Sequence, residues 1–259
     1  MESLLSDIIW LSDKRKKILI LLLEGPKSSD EIKKEFGCTW RPLISPIKKL
    51  KEEQLIIQDD NNYRLTYVGK ILTENMYPLL NILDMFECDY QYWKSRDFDP
   101  IPGGLMDRMG EIGNCRLLEP PLDRIFELDE SFIDKISECK YINALSPFFH
   151  PEYIDLYCKM VSKKTRICLI FKEPVFERLR QECEDKLNIL LDSENADILI
   201  NRNDLRVPGV VVSDNAFLLS LFEKNGNYDH RDVIGFDNSS IRWGNDLFSY
   251  YRDLSERVK

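Results

Sequence analysis

Thr39-Trp-Arg-Pro-Leu-Ile-Ser-Pro-Ile-Lys-Lys-Leu-Lys-Glu-Glu53 carries two faces on one helical repeat. Leu43, Ile47 and Leu50 recur at i, i+4, i+7 and form an apolar stripe. Arg41, Ser45 and Lys48 recur with the same period on another side, flanked by Lys49 and Lys51. Pro42 falls in the first turn, where its missing N–H costs nothing. Pro46 lies a turn deeper and must lose a backbone bond, so a bend or a late start is expected there. An oily side facing inward and a cationic side facing out is the pattern of a helix that docks on something negatively charged.

The flanking sequence gives this helix a setting. Upstream, Ser12 is a good N-cap, and Asp13 suits the positive end of a helix dipole. Ile18, Leu19, Leu22 and Leu23 follow at helical spacing until Gly25-Pro26 stops the run. Ser28 and Glu31 stand in capping-box register ahead of Ile32 and Phe36, and Gly37 ends that helix after about two turns. Downstream, Leu55-Ile56-Ile57-Gln58 and Tyr63-Arg64-Leu65-Thr66 alternate around Asp59-Asp60-Asn61-Asn62, a hairpin signal. Three helices and a hairpin, with a short second helix and a basic third, is the order of a winged helix-turn-helix. Residues 1–66 are assigned to it.

In that setting the third helix enters the major groove and the hairpin is the wing. Arg41 can present two donors to a guanine edge. Ser45 can bond a base or a phosphate. Lys48, Lys49 and Lys51 suit phosphates, which set register without reading sequence. Arg64, with Asn61 and Asn62 beside it, lets the wing touch backbone or minor groove. Ser28, Thr39 and Trp40 complete the candidate surface, Trp40 being equally suited to packing on the domain. The blander alternative is that the lysines simply solvate an exposed helix.

After Thr66 no firm stop occurs until Asp97. Leu72, Met76, Leu79, Leu83, Phe86, Tyr90 and Trp93 step by 4 and 3 alternately, a heptad seam with Pro78 inside it. Residues 67–97 are therefore expected to be a linking helix that pairs two copies. The alternative is packing against its own domain, for instance on Leu4, Leu5, Ile8 and Ile9. A two-fold dimer would space its recognition helices by one DNA turn, ~34 Å, and read an inverted repeat.

Charge divides along the same line. Residues 1–70 hold 13 of the 36 Lys and Arg and 11 of the 45 Asp and Glu, a net of +2 within a chain of −9. The acidity lies in the later part, so a basic coat along the whole chain is excluded but a small DNA-binding domain is not. No stretch approaches the ~20 apolar residues of a membrane span, and Met1-Glu2-Ser3 does not open a signal peptide. Seven cysteines (38, 88, 115, 139, 158, 168, 183) without a Cys-x-x-Cys pair read as reduced thiols in a cytoplasmic chain.

Residues 98–259 alternate helix-like and strand-like segments: helices near Ile125–Ser137, Glu152–Val161, Val175–Lys186 and from about Ser240 to Arg257, and strands at Tyr141–Leu145, Arg166–Phe171, Ile198–Ile200, Gly209–Val212, Ala216–Phe222 and Val233–Phe236. Pro100, Pro102, Gly103 and Gly104 read as a linker before them. The fold class expected for the chain is thus two-domain, α+β to α/β, with an α/β regulatory domain second. No phosphate-binding Gly-x-x-x-x-Gly-Lys-Ser/Thr loop, Gly-x-Gly-x-x-Gly or Gly-x-Ser-x-Gly elbow occurs. His150 and His230 stand in no His-x-Lys or His-Glu-x-x-His frame, and the cysteines lack zinc spacing. The reading is a regulator and not an enzyme, with no metal and no cofactor. Its alternative is an enzymatic or redox-sensing C-terminal domain carrying an accessory or protein-binding winged helix. A small-molecule effector would meet Ser146, Phe149 and His150 after a strand, Lys172 at the end of the next, and Asp214 in a hairpin turn. Taken one at a time, each of these also has a purely structural account.

Ser12-Asp-Lys-Arg-Lys-Lys-Ile-Leu, Ser45-Pro-Ile-Lys-Lys-Leu50 and Tyr63-Arg-Leu-Thr-Tyr-Val-Gly69 resemble the winged-helix half of archaeal methanogenesis regulators of the FilR/Msr type. Asp97-Phe-Asp-Pro-Ile-Pro102, Met109-Gly-Glu-Ile-Gly113 and Ile241-Arg-Trp-Gly-Asn-Asp-Leu-Phe-Ser-Tyr-Tyr251 resemble that family's C-terminal regulatory domain. The resemblance implies a transcriptional regulator of methanogenesis or methyl-substrate genes. Its partners would be double-stranded DNA and a second copy of itself. It brings no catalytic residues with it.

Overall fold

The computed structural model describes residues 4–113, 115–120, 129–203 and 206–258, and it is a mixed α and β structure. The chain divides into two compact units, Met1–Leu80 and Asn81–Lys259.

Unit 1 opens with helices α1 (Leu5–Trp10) and α2 (Asp13–Leu21), the latter capped by Ser12, whose Oγ accepts from the Arg15 N–H at 3.4 Å. A single 3₁₀ turn follows and ends at Gly25, whose φ of 132° is open to glycine alone. Next come a short strand β1 (Lys27–Ser28) and helix α3 (Ser29–Phe36), which stops at Gly37 in the left-handed region. Helix α4 (Arg41–Glu52) runs on past Pro46, so the expected late start does not occur. Strands β2 (Ile56–Asp59) and β3 (Asn62–Leu65) pair antiparallel around Asp60, whose φ is 51°. β1 pairs on the other edge of β3, giving the order β1-β3-β2. Ile18, Leu19, Ile32, Leu43, Ile47, Leu50 and Leu55 are buried together as one core.

Helix α5 (Tyr67–Cys88) starts in unit 1. Thr66 fastens that start: its hydroxyl donates to the Gln54 carbonyl at 2.7 Å and accepts from the Gly69 N–H at 3.0 Å. Gly69 is needed there for a different reason than Gly25. A Cβ on it would lie 1.9 Å from the Leu55 carbonyl oxygen, so the helix can approach the preceding turn only without a side chain.

The expected helix over 67–97 is two helices. α5 ends at Cys88, and Asp89 caps a separate α6 (Tyr90–Ser95) by accepting from the Tyr92 N–H at 2.9 Å. The heptad positions do not form one free stripe. Met76 and Trp93 are buried in different cores, Leu72 and Phe86 are half-buried against those cores, and Leu79, Leu83 and Tyr90 are exposed. A 3.5-residue period describes the inner side of a helix packed on its own domain as well as a seam between copies, and here it describes some of each.

In unit 2, the presumed linker at Gly103-Gly104 forms a helical turn, α7 (Gly103–Met106). β4 (Arg116–Leu118) and α8 (Glu130–Ile136) follow; the expected helix from Ile125 falls, over 125–128, outside the described residues. The chain then alternates through β5 (Tyr141–Ser146), α9 (Pro151–Ser162), β6 (Arg166–Lys172), α10 (Glu173–Glu182), α11 (Glu184–Asp192) and β7 (Ala196–Asn201). The single helix expected from Val175 to Lys186 is thus broken at Cys183. Strands β8 (Gly209–Ser213), β9 (Phe217–Ser220) and β10 (Asp232–Gly235), helix α12 (Asn238–Asp253) and a short β11 (Glu256–Arg257) complete it.

The strands form one sheet in the order β11-β7-β6-β5-β8-β9-β10-β4, in which β5, β6 and β7 are parallel and the remaining pairings antiparallel. Alternation along the parallel strands divides the core. Ile142, Ala144, Leu169, Phe171 and Ile198 join Ile154, Tyr157 and Phe176 on one face. Leu145, Ile170 and Leu199 join Trp243, Leu247 and Phe248 on the other. Gly244 lets α12 lie close on the sheet, since a Cβ there would stand 2.3 Å from the Phe217 ring.

Candidate functional site

The outward side of α4 follows from the burial of its inward side. Leu43, Ile47 and Leu50 are sealed in the unit 1 core, which turns Arg41, Ser45 and Lys48 to solvent on a common face. Arg41 makes no ion pair or hydrogen bond among the described residues, and neither does Ser45. Lys48 is 75% exposed, with Glu52 3.8 Å away. The other cations are committed to the protein. Lys49 sits 2.9 Å from Glu53, a hydrogen bond that raises its ammonium above the ordinary lysine value. Lys51 donates to Gln58 Oε1 at 2.9 Å. The free donors therefore concentrate in the first turns of α4, and Glu52 tempers the charge of its last turn.

The remaining candidates divide in the same manner. Thr39, Asn61 and Asn62 are exposed, the asparagines at the hairpin tip. Arg64 is turned back onto Asp59 at 2.5 Å. Ser28 is occupied by its cap: its Oγ accepts from the Glu31 N–H at 3.3 Å and donates to Glu31 Oε2 at 2.8 Å, while Glu31 Oε2 also accepts from the Ser28 N–H at 2.7 Å. Those two bonds hold the Glu31 carboxyl below its usual range. Trp40 is half-buried against the core, its ring 5.8 Å from Tyr63. Its packing role is the one the geometry displays.

In unit 2, the residues expected near an effector separate. Ser146, Phe149 and His150 border a narrow cleft with room for about one water molecule, together with Phe148, Tyr153 and Tyr157. Lys172 does not line it. Strand alternation sends Phe171 into the cleft wall and Lys172 to the opposite face, where its Nζ donates to the Asn203 carbonyl. Asp214 is a further correction. It accepts from the Lys140 N–H at 3.0 Å, at the start of β5, whereas Ser146 ends that strand. His150 stands at the N-cap position of α9 without a capping bond, its ring 5.0 Å from that of Tyr153.

Sequence reasoning missed the rest of this neighbourhood. Tyr157 is 1% exposed, with the Ser146 side chain beside its hydroxyl. Burial lifts it well above the ordinary phenol range, so it stays protonated. Phe148 stacks on Tyr228 at 4.6 Å, and Tyr228 donates to Asp232 at 2.8 Å. Burial also raises the Asp232 carboxyl. Nearby, Arg96 is fully buried and bridges Asp229 through both terminal nitrogens, lies 4.0 Å over the Tyr92 ring, and donates to the Leu221 carbonyl at 3.2 Å. Asp229 is held below the usual carboxylate range; its own burial works against this, and the hydrogen bonds from Arg96 and Arg231 prevail.

Three of the cysteines are disposed as packing residues, and Cys88 is exposed. Burial pushes the Cys115 thiol up to about 12 and those of Cys139 and Cys168 up to about 11, so none of the three is a thiolate at neutral pH. Among the described residues no three His, Cys, Asp or Glu side chains are grouped as metal ligands, and no helix is long and apolar enough to cross a membrane.

Comparison with known proteins places the chain. Residues 8–84 match the family model of the N-terminal domain of methanogenesis regulatory protein FilR1, and residues 125–254 match the model of its middle domain. The chain belongs to this FilR1-type family of methanogenesis regulatory proteins. It is 22% identical over 252 residues to methanogenesis regulatory protein FilR1 of Methanothrix harundinacea (strain 6Ac), covering 95% of this chain and 56% of the relative. The chain thus spans just over half the length of that relative. Among solved structures, TrmBL2, an archaeal chromatin protein with a novel mode of DNA binding, aligns over 93% of this chain and 91% of its own at 12% identity and a TM-score of 0.45. A phosphatidylserine synthase of Haemophilus influenzae Rd KW20 aligns over 46% of this chain and 34% of its own at 13% identity and a TM-score of 0.36. Neither superposition is close enough to carry an argument.

Proposed function

We propose that the chain is a sequence-specific DNA-binding transcriptional regulator of methanogenesis or methyl-substrate genes. Unit 1 acts as a winged helix in this reading, with α4 in the major groove and the β2–β3 hairpin as its wing. Unit 2 is the regulatory half. The observation that carries the proposal is the division of α4 between three sealed apolar side chains and an outward Arg41, Ser45 and Lys48, of which the Arg41 and Ser45 side chains make no bond among the described residues. Membership of a family of regulatory proteins supports it independently.

Each free side chain has a distinct task. Arg41, at the start of α4, carries a fork that fits the two acceptors of guanine, which is how the first turn of a recognition helix discriminates bases. Ser45, one turn on, reaches a base or phosphate. Lys48 adds a phosphate contact, and Asn61 and Asn62 extend the wing toward the backbone. Lys49, Lys51 and Arg64 contribute less, because each must leave a protein partner to reach DNA.

Two copies are expected to bind together, through the exposed part of α5 that carries Leu79 and Leu83. An effector that favours one spacing of the two recognition helices over another would then switch binding, by as much as its affinities for the two arrangements differ. No catalytic step is part of this proposal.

The test uses an operator selected from random DNA by the full chain. Arg41→Ala should reduce the ratio of specific to non-specific affinity by about 10- to 100-fold, the discrimination carried by one bidentate base contact. An unchanged ratio would count against α4 as the reading helix. Sedimentation at micromolar concentration checks the dimer: Leu79→Glu with Leu83→Glu should give the monomer mass where the parent gives twice that.

A further inference from the structure

The geometry points to a DNA contact outside α4, and we propose that Arg15, on α2, grips a backbone phosphate along one wall of the major groove. The proposal rests on α4 being the reading helix, and it names what holds the strand beside that helix.

The packing of α2 fixes where Arg15 emerges. Ile18 and Leu19 are buried in the unit 1 core, and Arg15 stands three and four positions before them, on the same side of the helix. Its stem is therefore laid along the core and its charged end reaches outward. Its Nε is buried without a hydrogen-bond partner, and its guanidinium makes no ion pair, among the described residues. α2 packs against α4, and the guanidinium comes near Lys49. The hydrogen bond from Glu53 raises the Lys49 ammonium, and the Arg15 charge works against that rise. Two cations are thus held side by side, and of the two Lys49 alone has a carboxylate partner.

Nothing within α2 answers the charge of Arg15. Lys14-Arg15-Lys16-Lys17 faces a single acid in that helix, Asp13, which already pairs with Lys16 at 2.9 Å. Cations in a first turn are also opposed by the helix dipole. The position of Arg15 is therefore unfavourable for unit 1 alone and favourable against an anion.

The duplex supplies that anion in the right place. A helix lying in the major groove, about 12 Å wide, has a phosphate strand on either side. Lys51 marks the hairpin side of α4 through its bond to Gln58. Lys49 lies about 160° away, on the α2 side, with Arg41, Ser45 and Lys48 between the two. The hairpin thus flanks one strand and α2 the other. Arg15 leaves no partner in order to reach a phosphate, and its fork can take two of the oxygens. Such a contact fixes the register of α4 and reads no base.

The test follows affinity against salt for the full chain, on the selected operator and on a random duplex. Arg15→Met keeps the stem and puts a methyl where the unbonded Nε lies, so the melting temperature should hold or rise. The slope of log affinity against log salt should become shallower by about one, with both duplexes weakened by the same factor. Arg15→Lys keeps the charge and should keep the slope. Lys17→Met removes an equal charge about 200° round α2 and should bind as the parent does. Arg15→Gln gives the same readings should Arg15→Met fail to fold. An unchanged slope in Arg15→Met, an equal loss in Lys17→Met, or a changed ratio of operator to random affinity would each overturn the proposal. A parent chain without salt-dependent binding strikes the functional reading itself. A parent that binds, beside an Arg15→Met that binds identically, strikes the phosphate contact alone.

Discussion

Arg41 and Arg96 are the same side chain in opposite circumstances. Arg41 begins α4 in unit 1, is exposed, and has no partner among the described residues. Arg96 in unit 2 is fully buried, doubly bonded to Asp229 and stacked on Tyr92. A guanidinium left in water is available to a partner outside the chain; one buried against a carboxylate and a ring holds the fold together. On the proposed reading the unpaired charge at the start of α4 serves recognition, whereas the buried charge of Arg96 in unit 2 serves the fold.

The largest expected effect is on the structural side. Arg96→Ala should destabilise unit 2 by about 3–5 kcal/mol, the typical loss when one member of a buried ion pair is removed; urea denaturation followed by tryptophan fluorescence reads it. Arg41→Ala should stay within about 0.5 kcal/mol of the parent in the same assay, as exposed substitutions do. Equal effects would erase the contrast. Gly69→Ala comes next, at about 3 kcal/mol, because its new Cβ meets backbone at 1.9 Å and not a side chain that can swing away. That loss should fall on unit 1, as resolved by hydrogen exchange.

Acid gives a graded version of the contrast. Asp229 has a depressed pKa when folded, so its contribution is fully present above the unfolded carboxylate value of about 3.9 and is lost as pH falls through the folded value. Unit 2 should therefore weaken below about pH 4, and Arg96→Ala should flatten that acid limb in pH-dependent unfolding. A smaller loss is expected at a cap: Ser28→Ala should cost about 1 kcal/mol, confined to unit 1 and measurable by thermal unfolding.

How much of this was legible beforehand varies with the range of the interactions. The α3 capping box, the Gly37 stop, the stripe of α4 and the Asp60 turn are specified by residues within four positions of one another, and each forms as read. The α5 heptads were less informative, since spacing names an apolar side but not what covers it. Arg96 and Asp229 could not be paired in advance: they are 133 positions apart, and lone charges are expected in water. Of the candidate cleft, Ser146, Phe149 and His150 were legible because they follow a strand. Asp214 was misplaced because a turn beside a strand gives no sign of which end of the sheet it reaches. Tyr157 carried no signal at all, as an apolar helix face and a pocket wall look alike in sequence.

The central claim is that the outward face of α4 docks on a duplex. It is tested most directly by the salt dependence of DNA affinity for the full chain, the double variant Arg41→Ala with Lys48→Ala, and a control, Lys163→Ala with Arg180→Ala, that removes the same charge from unit 2. The account predicts a slope of log affinity against log salt that is shallower by about two in the α4 variant and unchanged in the control. Equal slopes in all three proteins, at equal affinity, would contradict it.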